Sequence, residues 1–353
     1  MIPVTKPFFP PRAELNKQLD SIYESGWLTN NGPLLRSLED RLEETLSVPW
    51  LRVVSNGTIA IQLAIQSLGL KGRVVTTPFS YVATLNALLW ERCEPVFVDI
   101  DPDTLCIDAE QVGQVAEEAE GVLATHVFGI PCDVHALQRI GEAAQLSIIY
   151  DAAHAFGVRF DGKSLLRYGD LSTLSFHATK LFHMVEGGAV IGHTPKQQQS
   201  LERLRNFGQQ GRDQFLSLGI NGKNSELHAA VGHCVLDHIQ PLIADRLRCV
   251  DRYRTALQGV VKMPVIPART EWNGAYAPVL FPTEHALLVA LKRMEARDIH
   301  PRRYFYPSLN TLPFVQSKSL PVAEDVAHRV LCLPLYWGLS ETEQETVCEA
   351  VVG

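Results

Sequence analysis

Lys180 stands between two apolar segments in "LSTLSFHATKLFHMVEGGAVIGH", residues 171–193. Residues 171–176 alternate in the manner of a strand, and residues 187–193 read as another. A lysine between buried strands costs free energy unless it loses its charge or finds a partner. Held in such a place, it gives up its proton more readily and becomes a nucleophilic amine suited to Schiff-base chemistry. The ordinary alternative for any lysine is a solvated place on a loop.

Two more strand ends have chemistry-bearing residue types. In "IIYDAAHAFG", Asp151 closes an apolar strand, where a carboxylate is costly to bury and useful to aim at a ligand. It suits a protonated heteroaromatic nitrogen, a metal or a cap for the next segment, and His154 alone is thin support for the metal. In "VVSNGTIAIQLA", a strand ends, Asn56-Gly57-Thr58 turns the chain, and a helix begins. Its first N–H groups are unpaired and can receive an anion, with Gly57 allowing close approach and Thr58 adding a hydroxyl. A plain N-cap uses the same residues. Ser175, just before Lys180, can offer its hydroxyl to the same anion. A phosphate cradle, an acid for a pyridine nitrogen and a lysine for an aldehyde, in that order, are the parts that hold pyridoxal 5'-phosphate.

These residues need a frame. From residue 50 onward, short β-branched runs alternate with helix-like segments, which indicates an α/β fold with a mainly parallel central sheet covered by helices on both faces. In such a sheet ligands gather at the carboxyl ends of the strands. After about residue 195 the spacing predicts a long helical stretch, then helices in "NGKNSELHAAVGHCVLDHI" and from about Pro241. A smaller α+β pattern closes the chain. The expected division is a large domain over 1–240, with the N-terminal segment, and a small C-terminal domain over 241–353, in line with a length of 353 residues.

Composition sets limits. The net charge of −7 and the isoelectric point near 6.0 argue against a nucleic-acid partner. No apolar run reaches the roughly 20 residues of a membrane helix, and the proline-broken N-terminus does not read as a signal peptide. The seven cysteines include no C-x-x-C pair and suit reduced, buried thiols, so a cytoplasmic protein is expected. A dinucleotide site is not expected, because no G-x-G-x-x-G follows the first strand.

The motifs "GWLTNNGPLLRSLEDRL", "SNGT", "TPFSYVAT", "DAAHAFG", "SFHATK…EGGAV", "RNFG" and "LCLPLYWGLS" together resemble the DegT/DnrJ/EryC1/StrS family of sugar aminotransferases. The resemblance covers nearly the whole chain and implies the aspartate-aminotransferase-like (type I) fold. It implies that Lys180 is the catalytic lysine binding the aldehyde of pyridoxal 5'-phosphate and that Asp151 pairs with the ring nitrogen. By the same likeness His154 lies near the phenolic oxygen, Tyr81 stacks on the ring, and Gly57, Thr58 and Ser175 bind the phosphate. Asn221 matches a residue that reaches the phosphate of the neighbouring subunit, which implies a homodimer with shared active sites. The chain departs from the family at Gly222 and Lys223, where Tyr and Arg are frequent, and at Asn310, where a His is usual. His177, His183 and Glu186 take no role beyond hydrogen bonds that shape the lysine loop.

Within the family, "SFHATKLFH" with "GINGKNSE" is most similar to members that use L-glutamate to aminate dTDP-4-keto-6-deoxy-D-glucose. Their product is dTDP-4-amino-4,6-dideoxy-D-glucose, a precursor of surface polysaccharides such as O-antigen. Another reaction of the same cofactor on this fold, amination at C3, and a non-catalytic nucleotide-sugar sensor are the alternatives.

Overall fold

The computed structural model describes residues 1–353. Seven strands form the central sheet: β1 (Trp50–Val54), β2 (Arg73–Thr76), β3 (Glu94–Phe97), β4 (Gly121–Thr125), β5 (Ser147–Asp151), β6 (Leu171–Ser175) and β7 (Gly188–Gly192). Their spatial order is β1-β7-β6-β5-β4-β2-β3. β7 runs antiparallel to both neighbours, and every other adjacent pair is parallel. Burial on both faces explains the near-continuous apolar runs. In β1, Leu51 and Val53 face one core while Trp50 and Val54 face another on the opposite side.

Helices cover those faces and return the chain between parallel strands. They are α1 (Arg12–Ser25), α2 (Pro33–Leu46), α3 (Gly57–Leu68), α4 (Val82–Trp90), α5 (Ala109–Val115), α6 (Val134–Ala144), α7 (Pro195–Leu204) and α8 (Glu226–Asp237). α3 stops where Gly69 takes a φ of 71°, a left-handed C-cap that glycine adopts without steric cost. α2 starts under the buried Glu226, whose carboxylate accepts from Leu34 N at 2.8 Å and Leu35 N at 3.0 Å. This borrowed cap fastens α2 to α8.

The chain continues through α9 (Ile239–Ala256), β8 (Ala277–Leu280), α10 (Glu284–Glu295), α11 (Pro321–Arg329), β9 (Val330–Leu333) and α12 (Glu341–Val352). β8 and β9 pair antiparallel. A separate apolar core, with members from Cys249 to Val351, lies among α9, α10, α12 and these strands. α9 bridges the two cores, with Ile239 and Leu242 in the first and Val250 and Tyr253 in the second. The N-terminus joins the second unit, because Ile2–Pro3 pairs in parallel with Ile299–His300.

Two local expectations differ from the structure. The helical stretch from Pro195 ends at Leu204 and gives way to a small hairpin, Gln209–Gln210 with Gln214–Phe215. The helix in "NGKNSELHAAVGHCVLDHI" begins only at Glu226, because Ser225 caps it by accepting from His228 N, leaving residues 221–224 as an extended approach.

Candidate active site

The carboxyl ends of β1, β5 and β6 open into one cavity of about 680 Å³ that also receives residues from the second unit. Parallel register sets Thr125, Asp151 and Thr173 side by side, and Asp151 and Thr173 line the cavity. Lys180, Asp151, His154, Tyr81, Gly57, Thr58 and Ser175 all line it. Asn221 does not. It is exposed on the approach to α8, where its amide oxygen accepts from Lys223 Nζ at 2.8 Å.

Lys180 rides on the loop between β6 and β7. Phe176 and Phe182 anchor that loop from below, their rings edge to face at 4.8 Å, and Phe182 stacks on Phe156 at 4.7 Å. The amine is half-buried and donates to the phenol oxygen of Tyr276 at 3.2 Å. Burial holds its pKa below the ordinary lysine value, while the Asp151 charge pulls the other way. The apolar surroundings therefore favour the neutral, nucleophilic amine.

Asp151 is buried and accepts from Thr84 Oγ1 at 2.7 Å and Ala153 N at 3.1 Å. Burial raises its pKa, and the two donors and Lys180 oppose that rise. Behind Thr84 lie Ser80 at 2.7 Å and Thr125, which donates to Ser80 at 3.0 Å. Each hydroxyl has one proton, so the row reads in one direction, Thr125 to Ser80 to Thr84 to Asp151. It ends on the Asp151 carboxyl, and a donated hydrogen bond of this kind favours the ionised form.

His154 is buried between aromatic rings, stacked on Phe305 at 5.7 Å with an 8° tilt. Its Nδ1 accepts from Phe128 N at 3.2 Å, so the neutral ring bears its proton on Nε2. Burial, with the Lys180 charge, holds its pKa well below the usual histidine value.

The cap and anion readings of Asn56-Gly57-Thr58 are met by different groups. The Asn56 side chain caps α3 by accepting from Ile59 N at 2.9 Å. The Gly57 and Thr58 N–H groups make no backbone hydrogen bond outside the helix ladder, whose donors start further along. Gly57 is required by contact, since a Cβ there would meet Ser175 Cβ at 2.9 Å. That approach brings the Ser175 hydroxyl to the start of α3.

Three wall residues carried no advance signal. Tyr276 is delivered by the segment before β8, which Asn273 latches to the large domain by donating to the carbonyls of His154 and Phe156, both at 2.9 Å. Tyr304 and Arg302 line the cavity from the segment preceding α11. His177 and Glu186 stand at the lining, with His177 Nε2 3.7 Å from Glu186 Oε1 and its Nδ1 2.8 Å from Thr179 Oγ1. His183 lies away from the cavity lining and holds the N-terminal segment, bonding the Phe8 carbonyl at 2.9 Å. Asn310 is also outside, bonded to Ser308 at 2.6 Å and Glu324 at 2.7 Å. No group of three or more His, Cys, Asp or Glu side chains is arranged to hold a metal ion.

A lysine whose pKa burial lowers, in one cavity with a buried carboxylate at the strand ends of an α/β sheet, equips the cavity for exchange between amines and carbonyls. Comparison with known proteins gives the family: the chain belongs to the DegT/DnrJ/EryC1/StrS aminotransferase family, which it matches over residues 11–352. It is similar to the dTDP-4-amino-4,6-dideoxy-D-glucose transaminase of Escherichia coli, with 36% identity covering 100% of this chain and 98% of the relative. The enzyme of the same description from Shigella dysenteriae is 38% identical, covering 99% and 97%. Among solved structures, DesI in the presence of its TDP-sugar product is similar with a TM-score of 0.93 and 32% identity, covering 99% of this chain and 92% of that one.

Proposed function

We propose that this aminotransferase uses pyridoxal 5'-phosphate to move the amino group of L-glutamate to dTDP-4-keto-6-deoxy-D-glucose, forming dTDP-4-amino-4,6-dideoxy-D-glucose. The observation that carries the reading is Lys180, with its pKa lowered and its amine, held by Tyr276, lining the cavity that also holds Asp151 and the bare start of α3. The likeness to two dTDP-4-amino-4,6-dideoxy-D-glucose transaminases supports the choice of sugar.

The residues fit the cofactor. The Gly57 and Thr58 N–H groups, with the hydroxyls of Thr58 and Ser175, would hold its phosphate. Asp151 would hold the proton on the ring nitrogen, Tyr81 would cover one face of the ring, and His154 would lie near the phenolic oxygen. Bound there, the cofactor supplies an aldehyde that exchanges amine partners and a ring that accepts an electron pair. Lys180 Nζ would be the base that takes the α-proton of the amino donor and returns a proton to the sugar carbon. Tyr276 keeps that amine in place, and the Thr84 end of the hydroxyl row opposes the rise in the Asp151 pKa that burial causes. One cavity serving both substrates in turn gives ping-pong kinetics.

The same reading makes the protein a cytoplasmic homodimer with shared sites, in which Asn221 completes the phosphate cradle of the other subunit. Exposed Phe215, Leu216 and Leu218 near that residue support a covered surface there.

The test is the visible absorbance of the purified protein with added cofactor. L-Glutamate should bleach the band, and dTDP-4-keto-6-deoxy-D-glucose should restore it and yield the 4-amino sugar. A band that glutamate leaves unchanged would sink the amino-transfer reading. Restoration by a 3-keto, UDP- or GDP-linked sugar alone would replace the acceptor.

A further inference from the structure

Both proposed substrates are anions, and the cavity has little to meet them. Besides Lys180, Arg302 is the one permanent cation among its lining residues. Its neighbour Arg303 is committed, pairing with Glu284 at 3.0 Å. Arg302 pairs with no carboxylate of the chain; its guanidinium carbon lies 5.8 Å from the centre of the Tyr304 ring. Its backbone is fixed to β9 through mutual hydrogen bonds with Cys332, of 3.2 Å from Arg302 N and 2.8 Å to its carbonyl. The wall then runs inward in short steps. Tyr304 packs edge to face on Tyr276 at 5.8 Å, and Tyr276 touches Lys180 Nζ at 3.2 Å.

The anion groups on the large-domain side, Gly57, Thr58 and Ser175, are taken by the cofactor's phosphate in the reading above. Arg302 stands on a different wall and is left for a substrate. A guanidinium presents a planar fork of donors that matches a carboxylate in two bonds. In glutamate, one carboxylate is attached to the reacting carbon and the other lies a short chain away. In the nucleotide sugar, the diphosphate lies across the pyranose ring from the reacting carbon. A cation on the wall that leads through two aromatic side chains to the lysine is available to a carboxylate of the amino donor.

We infer that Arg302 is the residue that binds a carboxylate of the amino donor. The inference rests on the proposed amino transfer and adds the residue that recognises its first substrate. The side chain is exposed and has no carboxylate partner in the chain, so its replacement leaves the fold intact.

The two half-reactions separate the claims. In Arg302→Gln, the glutamate concentration that half-bleaches the cofactor band should rise about 10- to 100-fold, the loss expected for one charge-assisted pair. The sugar concentration that restores the band should stay near the wild-type value, and Arg302→Lys should recover part of the glutamate affinity. Equal glutamate dependence in wild type and Arg302→Gln overturns the inference while leaving amino transfer standing. Weakening confined to the sugar half-reaction also overturns it and assigns Arg302 to the diphosphate. A wild-type band that ignores glutamate removes both readings together.

Discussion

Lys180 sits where its own charge is unwelcome, and that has a measurable consequence. Its folded pKa is lowered by burial, so between that value and the unfolded lysine value of about 10.4 the unfolded chain binds the extra proton. Stability therefore rises with pH across that window, and below it the cost of the buried cation is fully present. In cofactor-free protein, Lys180→Met should raise Tm by roughly 2–4 °C near neutral pH, and the gain should shrink as pH approaches about 10. Thermal melts over a pH series check both the sign and the convergence. Asp151 is controlled from the other side. Thr84 donates to its ionised form, so Thr84→Val favours the neutral acid and moves its pKa up. The acid limb of cofactor binding should shift upward, with affinity falling about tenfold at neutral pH. An unmoved limb would mean the hydroxyl row is only packing.

At the scale of elements, the site depends on how two units are joined. Buried Asp99, just beyond β3, accepts from Val322 N at 2.9 Å and Ala323 N at 2.8 Å, capping α11 across the chain. α11 follows the segment that bears Arg302 and Tyr304, so this cap helps hold that wall. Asp99→Ala leaves the first N–H groups of α11 unpaired and should cost about 1–2 kcal/mol, read as a lower urea midpoint. The antiparallel run of β7 also had a local cause. The loop between β6 and β7 spans residues 176–187, barely the dozen residues that a parallel crossover needs, and it is occupied by Lys180 and its supports. The chain therefore turns straight back beside β6.

For the whole molecule, the question is whether one chain makes a site alone. Asn221 lies outside its own cavity, and the shared-site reading sends it to a partner. Co-expression of Lys180→Ala with Asn221→Ala chains tests this under limiting cofactor. Each mixed dimer would hold one site with both defects and one with neither, so about a quarter of the wild-type sites should return. No recovery above the parent variants would confine Asn221 to its own subunit or remove its role.

Much of the site was legible because chemistry and position coincided along the chain. Gly57, Asp151, Ser175 and Lys180 each end a strand or follow one closely, and a parallel sheet brings such ends to one edge whatever the details of packing. A lysine and a carboxylate are costly in those places, which marks Lys180 and Asp151. The large-domain order of strands and helices followed from hydrophobic period for the same reason. Tyr276 gave no such signal, because a tyrosine beside a strand is ordinary and its partner Lys180 is 96 residues away. Thr84 and Ser80 are polar residues at the start of a helix, indistinguishable in sequence from caps, and Arg302 looks the same as the ion-paired Arg303 beside it. What the sequence determined by itself was the set of groups that must meet at the strand ends, since local period and burial cost decide it. Which groups close the cavity over them was decided only by tertiary structure, because it depends on where the second unit docks, and that contact has no local period to read.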